Sequence, residues 1–316
     1  MKEIRIDSVN NDMIVFAKDR SKRPIDVVIT QTEKEVSKEY EKKCPFCRGN
    51  EELSTKETFK IQEKNDWVVK SIYNKFPILD GVGKEIYGIH EVMIDTYRHN
   101  GNFYNMTEEE FKNLFVMYKN RYKNLINDNN VEYVSIFKNF LRKSGASLEH
   151  PHSQIISLSI IPPDIENEIA ISKKYYMDKH KSLYDDIIKD EIQHKKRVIY
   201  NGKRFLVIVP YASKYSGEVR ILFKEKIKFE NIKDEDIYEL SYIFMKLFKN
   251  LYRDKGYTPF NLCIHTHPKN IEQENYFNVH MHIIPRKYSF GGFELGTGVY
   301  VSSTNPEELA KKLKFK

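Results

Sequence analysis

Hydrophobic positions recur at helical spacing in two widely separated stretches. Phe111, Leu114, Phe115, Tyr118, Leu125 and Ile126 fall largely on one face and predict a helix over about 107–127. Thr107 and Glu110 form a capping-box pattern at its start. Ile237, Leu240, Phe244, Leu247, Phe248 and Leu251 predict a second helix over about 234–254. Each helix is flanked by β-rich segments: Glu91–Ile94 and Val131–Phe137 around the first, Glu218–Phe223 and Phe260–Ile264 around the second. Each unit then continues into a strand carrying His-x-His, His150-Pro151-His152 in one case and His280-Met281-His282 in the other.

The same order twice is the signature of an internal repeat. We expect two related α+β halves, residues 1–185 and 186–316, with mostly antiparallel sheet and flanking helices. The stretch 164–196 is polar, helical in pattern and free of Gly and Pro, so it joins the halves as structure rather than as a flexible linker.

Composition narrows the class without naming a chemistry. The 316 residues suffice for one large domain or two ordinary ones, and 40% hydrophobic with 31% charged residues is ordinary globular usage. The 21 Tyr and 19 Phe suit either a packed core or a stacking surface. The start, Met1 to Asp7, has no apolar signal region, and no apolar run nears the ~18 residues that span a bilayer. A cytoplasmic protein with no membrane partner is expected. Lys and Arg exceed acids by 52 − 45 = 7, a mild excess that suits phosphate-bearing small substrates. No compact basic block argues for nucleic acid, and Lys195-Lys196-Arg197 reads as a solvated face. Three Cys, two of them in one C-x-x-C, exclude a disulfide framework.

Chemistry concentrates at a few residues. Cys44-Pro45-Phe46-Cys47 followed by Arg48-Gly49-Asn50 has the shape of a zinc knuckle. A redox pair and plain reduced thiols remain the alternatives. Half a site needs two more ligands, and His99 and His150 are the best-placed candidates. Alternation on a strand aims His150 and His152 at one face, as metal ligands or as satisfied core histidines. Ahead of them, Ser144-Gly145-Ala146-Ser147 is a small-residue loop whose backbone N–H groups are expected to approach a phosphate. A phosphate loop leading into a His pair suggests phosphorus chemistry on an imidazole, whose free lone pair at neutral pH needs no separate base.

The segment Gly145-Ala146-Ser147-Leu148-Glu149-His150-Pro151-His152-Ser153-Gln154 resembles the active-site signature of the galactose-1-phosphate uridylyltransferase family. That family belongs to the histidine-triad superfamily and includes the ADP-sugar phosphorylases. The resemblance implies two histidine-triad-like halves, with His152 as nucleophile and Gln154 on the transferred phosphoryl group. It implies zinc on Cys44, Cys47, His99 and His150. It places Asn139, Gly145 and Ser147 at the phosphate, and Arg20 and Arg23, in Asp19-Arg20-Ser21-Lys22-Arg23-Pro24, at the nucleotide sugar. Asn74 and Phe76, in Asn74-Lys75-Phe76-Pro77, match the nucleotide-contacting element, and Phe293 and Glu294 match the hexose segment. Glu168, His265, His280 and His282 fall where some members bind a structural iron or zinc. Leu148-Glu149 departs from the Asn-Pro of the well-studied uridylyltransferases and is closer to the broader bacterial and ADP-sugar branches.

The implied activity is transfer of a nucleoside monophosphate between a nucleotide sugar and a sugar 1-phosphate, as in a UDP-glucose–hexose-1-phosphate uridylyltransferase. The alternatives are an ADP-sugar phosphorylase using inorganic phosphate and a histidine-triad nucleotide hydrolase. Homodimers are common in the family.

Overall fold

The computed structural model describes residues 2–17, 35–83, 85–270, 276–286 and 289–316. Arg20 and Arg23 lie outside the described residues. The chain opens with β1 (Glu3–Ile6) and β2 (Met13–Phe16), then β3 (Glu57–Glu63), β4 (Asp66–Tyr73) and β5 (His90–Ile94). Helix α1 (Glu108–Ile126) leads to β6 (Tyr133–Phe140) and β7 (His152–Leu158), and α2 (Pro163–Lys179) and α3 (Leu183–His194) follow. Next come β8 (Val198–Asn201), β9 (Phe205–Ile208), β10 (Val219–Phe223), α4 (Asp234–Lys255), β11 (Phe260–His265) and β12 (His280–Pro285). The chain closes with α5 (Gly292–Thr297), β13 (Val299–Ser302) and α6 (Pro306–Leu313).

The fold is α+β. Ten of the described strands form one sheet in the order β3-β4-β5-β7-β6-β11-β12-β10-β9-β8, every neighbour antiparallel. Read from either edge towards the central β6–β11 pair, the connectivity is the same. The strands of the first repeat thus continue into those of the second through backbone hydrogen bonds. The stretch 164–196 forms α2 and α3, as its pattern predicts.

Both amphipathic helices lie on one face of this sheet. Thr107 caps α1 by accepting from the Glu110 N–H, while Glu110 accepts from the Thr107 N–H at 2.9 Å. Phe111, Leu114, Phe115 and Tyr118 of α1 and Phe244, Leu247 and Phe248 of α4 are fully buried together. Phe115 and Phe244 meet edge to face with centroids 4.8 Å apart, a contact worth about 1 kcal/mol beyond its buried area. Strand alternation assigns Ile155, Met281 and Ile283 to this helical face and therefore turns His152, Gln154, His280 and His282 to the other.

A three-stranded sheet, β1-β2-β13, joins the two ends of the chain, with β13 parallel to β2. It leans on the second repeat: Arg220 holds Asp7 at 2.8 Å and Arg5 holds Glu307 at 3.0 Å. Among the described residues no helix is long and apolar enough to cross a membrane.

Candidate active site

The first residue of β7 is His152, 7% exposed. Its Nδ1 lies 2.8 Å from the carbonyl oxygen of His150. A carbonyl only accepts, so Nδ1 carries the proton and Nε2 keeps the lone pair. Burial, then the charge of Lys138, lowers the pKa of His152, which favours this neutral form.

Beneath the strand runs a buried polar network that the sequence reading missed. Lys138 donates to Asp95 Oδ2 at 2.6 Å and to the His152 carbonyl at 2.9 Å. Ser153 donates to Asp95 Oδ1 at 2.8 Å, and Tyr118 OH lies 2.5 Å from Ser153 Oγ. Lys138 and Asp95 are 1% and 0% exposed, so each charge depends on the other. The available signal was a lysine on the face of β6 that otherwise carries Val134, Ile136 and Phe140.

The loop from β6 to β7 differs from the expected amide cradle. Ser144 N and Ala146 N donate to Leu141 O, and Gly145 N donates to Arg142 O. Three of the N–H groups expected at a phosphate are thus used to shape the loop itself. Leu141 sits at φ 69°, ψ 161°, a region nearly reserved for glycine and costing about 1–3 kcal/mol. Gly145 has φ 98°, and a Cβ there would press on Asn139 Nδ2 at 3.4 Å. Asn139 Oδ1 in turn accepts from Asn261 Nδ2 at 2.7 Å. Asn139, Ser147 and His152 line a common cavity of about 710 Å³, together with Lys138 and Arg142.

Cys44, Cys47, His99 and His150 converge with all four donor atoms within 4.8 Å of one another. Cys47 Sγ is 3.4 Å from His99 Nδ1 and 3.6 Å from His150 Nδ1. A tetrahedral ion with zinc-like bonds to sulfur and nitrogen has an S–N edge of about 3.6 Å, so the donor set is compatible with zinc. His150 donates from Nε2 to Thr96 O at 2.9 Å, which turns its Nδ1 lone pair inward. Burial, followed by the neighbouring Cys47, pushes the Cys44 thiol up to about 12, and burial takes His150 down to about 3. A buried dication is the partner that makes such a thiol ionise.

Glu168, His265, His280 and His282 form a second cluster, also within 4.8 Å. Glu168 reaches across from α2 and holds His265 Nδ1 at 3.1 Å. His280 Nδ1 pairs with Asn278 O at 2.9 Å, as His152 pairs with His150 O, and His282 Nδ1 pairs with Glu218 at 2.9 Å. His280 Nε2 lies 3.4 Å from Glu168 Oε2, His282 Nε2 is buried without a hydrogen-bond partner, and one carboxylate with three imidazoles suits a first-row ion. His152 and His280 each turn Nδ1 to the carbonyl two residues back, so by this contact His280-x-His282 corresponds to His152-x-Gln154 and not to His150-x-His152.

Gln154 Oε1 lies 2.8 Å from His90 Nε2, and Asn74 contacts the same ring. His90 was not anticipated, since a single His at a strand start gives no periodic signal. Phe76 is 83% exposed. Phe293 and Glu294 lie on α5, where Glu294 accepts from Gly291 N, and neither lines the cavity of His152.

Residues 92–315 match the family described as Domain of unknown function (DUF4921). The chain is 26% identical to ADP-glucose phosphorylase of Arabidopsis thaliana over 99% of its length and 92% of that protein. It is 24% identical to galactose-1-phosphate uridylyltransferase of Thermotoga maritima, covering 99% and 98% of the two chains. The crystal structure of an ADP-glucose phosphorylase from Arabidopsis thaliana with bound ADP-glucose superposes with a TM-score of 0.87 at 25% identity, covering 100% of this chain and 99% of that one. The chain therefore belongs to the DUF4921 family, among the galactose-1-phosphate uridylyltransferase-like nucleotidyltransferases that include the ADP-sugar phosphorylase branch.

Proposed function

We propose that this enzyme moves a nucleoside monophosphate from a nucleotide sugar to a second phosphate through a covalent nucleotidyl-His152. The observation that carries the reading is the proton on Nδ1, held by the His150 carbonyl, which leaves Nε2 as a buried lone pair beside the cavity. In the first half-reaction, Nε2 attacks the α-phosphorus. The N–P bond forms, the bridging P–O bond breaks, and hexose 1-phosphate leaves with the electron pair. In the second, an acceptor phosphate oxygen attacks the same phosphorus and the N–P bond breaks, restoring the neutral imidazole. Asn139, Gly145, Ser147 and Gln154 bind the phosphoryl group, while Asn74 and Phe76 bind the nucleoside. Arg20 and Arg23 are assigned to the nucleotide sugar, and Phe293 and Glu294 to the hexose, from the family pattern alone.

Zinc fits Cys44, Cys47, His99 and His150, and its role is structural because four protein donors leave no open position. His150, if held there by the ion, would be fixed in place, and its carbonyl would set the tautomer of His152. The second cluster fits iron or zinc. The division into halves 1–185 and 186–316 is part of the same reading, supported by the matching strand order.

Two acceptors compete: a sugar 1-phosphate, as in a uridylyltransferase, and inorganic phosphate, as in an ADP-sugar phosphorylase. Full-length likeness to an ADP-glucose phosphorylase supports the second. Incubation with ADP-glucose or UDP-glucose, followed by mass analysis of the His152 peptide, decides between adenylyl and uridylyl donors. Release of label by inorganic phosphate, or by a hexose 1-phosphate other than the one that left, decides the acceptor. A peptide that stays unmodified with every donor removes the proposal.

A further inference from the structure

The Gln154 amide and the loop at 74–78 meet on one imidazole, that of His90. This residue begins β5 and is 3% exposed. The backbone N–H of Ile78 donates to His90 Nδ1 at 3.1 Å. A ring nitrogen that accepts carries no proton, so in the neutral ring the proton sits on Nε2. Nε2–H then donates to Gln154 Oε1 at 2.8 Å. Burial lowers the His90 pKa against the opposing effect of the Gln154 hydrogen bond, which is consistent with a neutral ring. Asn74 Nδ2 lies 3.1 Å from Nε2 and 3.3 Å from Nδ1, and its own Oδ1 accepts from Phe76 N at 2.9 Å.

This arrangement settles which end of the amide faces the reaction. Oxygen and NH2 lie on opposite sides of a carboxamide, so tying Oε1 to His90 directs both N–H donors the other way. Gln154 is two residues beyond His152 on the same strand and therefore on the same face. Among the described residues, no hydrogen bond from Gln154 Nε2 is formed within the chain. An amide turned the other way would set an oxygen against a phosphoryl oxygen, a repulsive contact in place of a donated one.

We infer that His90 is a positioning residue for phosphoryl transfer: its Nε2–H sets the Gln154 amide with both donors available to the phosphoryl group, and its Nδ1 fastens that setting to the Asn74–Ile78 loop. The inference rests on the reading of His152 as the nucleotidylated residue. His90 touches no reacting atom. It acts by removing the wrong amide orientation before substrate arrives, which is how a hydrogen-bond donor gains its effect in transfer reactions.

Two measurements test it. Nitrogen-15 imidazole NMR of the metal-replete wild-type chain, without substrate, should show His90 protonated on Nε2 only. The Nδ1–H tautomer overturns the inference. With the donor that labels His152, His90→Phe should slow labelling at saturating donor by about 10²-fold, a loss separate from any rise in donor KM as the Asn74–Ile78 loop loses its contact with Nδ1. His90→Gln, which keeps an N–H able to reach Gln154, should recover most of that rate. The double variant His90→Phe/Gln154→Ala should be no slower than Gln154→Ala alone, because His90 acts through that amide. A His90→Phe that is thermally weakened yet labels at the wild-type rate, or losses that multiply in the double variant, reduces His90 to a structural residue. A wild type that forms no His152 adduct with any donor instead overturns the nucleotidyl-histidine reading and the role of His90 with it.

Discussion

His152 Nδ1 and the carbonyl oxygen of His150 are 2.8 Å apart, while His150 Nδ1 faces the Cys44–Cys47 cluster. One residue thus has its side chain among the candidate metal ligands and its backbone on the candidate nucleophile. Damage to the metal site is expected to reach the chemistry through this contact, without His152 itself being altered.

His152→Gly removes the lone pair and leaves the cavity. Transfer should fall by about 10⁴-fold or more, while donor still binds in calorimetry. The adduct, acid-labile and base-stable, should vanish from the 152 peptide. Near-normal transfer, or label on another residue, rejects His152.

Cys44→Ser breaks a buried donor set. Elemental analysis should show about one equivalent of zinc fewer than in the wild type, with a lower melting temperature and loss of transfer together. A variant that keeps both metal and stability excludes Cys44 as a ligand.

His280→Ala should remove metal from the second cluster and leave the first intact. Total metal should drop from about two equivalents towards one, and turnover should persist. Unchanged metal content dismisses this site.

Lys138→Met leaves Asp95 as a buried charge without its cation. Urea unfolding should show a loss of about 3–5 kcal/mol. The double variant Lys138→Met/Asp95→Leu should recover part of that loss, because neither charge is then buried alone. Equal stability of Lys138→Met and wild type contradicts the pairing.

Glu110 provides a pH test away from the histidines. Burial acts to raise its pKa, but hydrogen bonds and charge from Arg98, with the Thr107 N–H, outweigh it, and the folded pKa is lowered. A lowered carboxylate pKa stabilises the fold above the unfolded pKa of about 4.3 and loses that contribution as pH falls through the folded value. Glu110→Gln should therefore be about 1 kcal/mol less stable than wild type at pH 7, and the gap should narrow as pH drops below about 4. A gap that widens in acid refutes the assignment.

Much of this protein was legible from local pattern. Helix α1 begins one residue after the predicted start because Thr107 is its cap, and α4 matches its apolar face, since both depend on neighbours within about five residues. His152 and Gln154 share a face for the same local reason, the period of two along a strand. The C-x-x-C pointed only to Cys44 and Cys47; His99 and His150 joined them through the family resemblance, and only the fold shows the four donor atoms within 4.8 Å.

Tertiary structure decided the rest. The His90–Gln154 contact needs β5 beside β7, and Glu168 meets His265 only because α2 packs across the second repeat. The Lys138–Asp95 pair joins residues 43 positions apart, under a strand neither belongs to. The amides at Ser144–Ala146 turn inward because Leu141 O draws two of them and Arg142 O the third, a choice made by loop closure and not by residue type. Periodicity and capping are properties of adjacent residues and can be read along a chain. Which lone pair faces which donor depends on strand register and on the tautomer that each new neighbour imposes, and those arise only once distant segments are packed together.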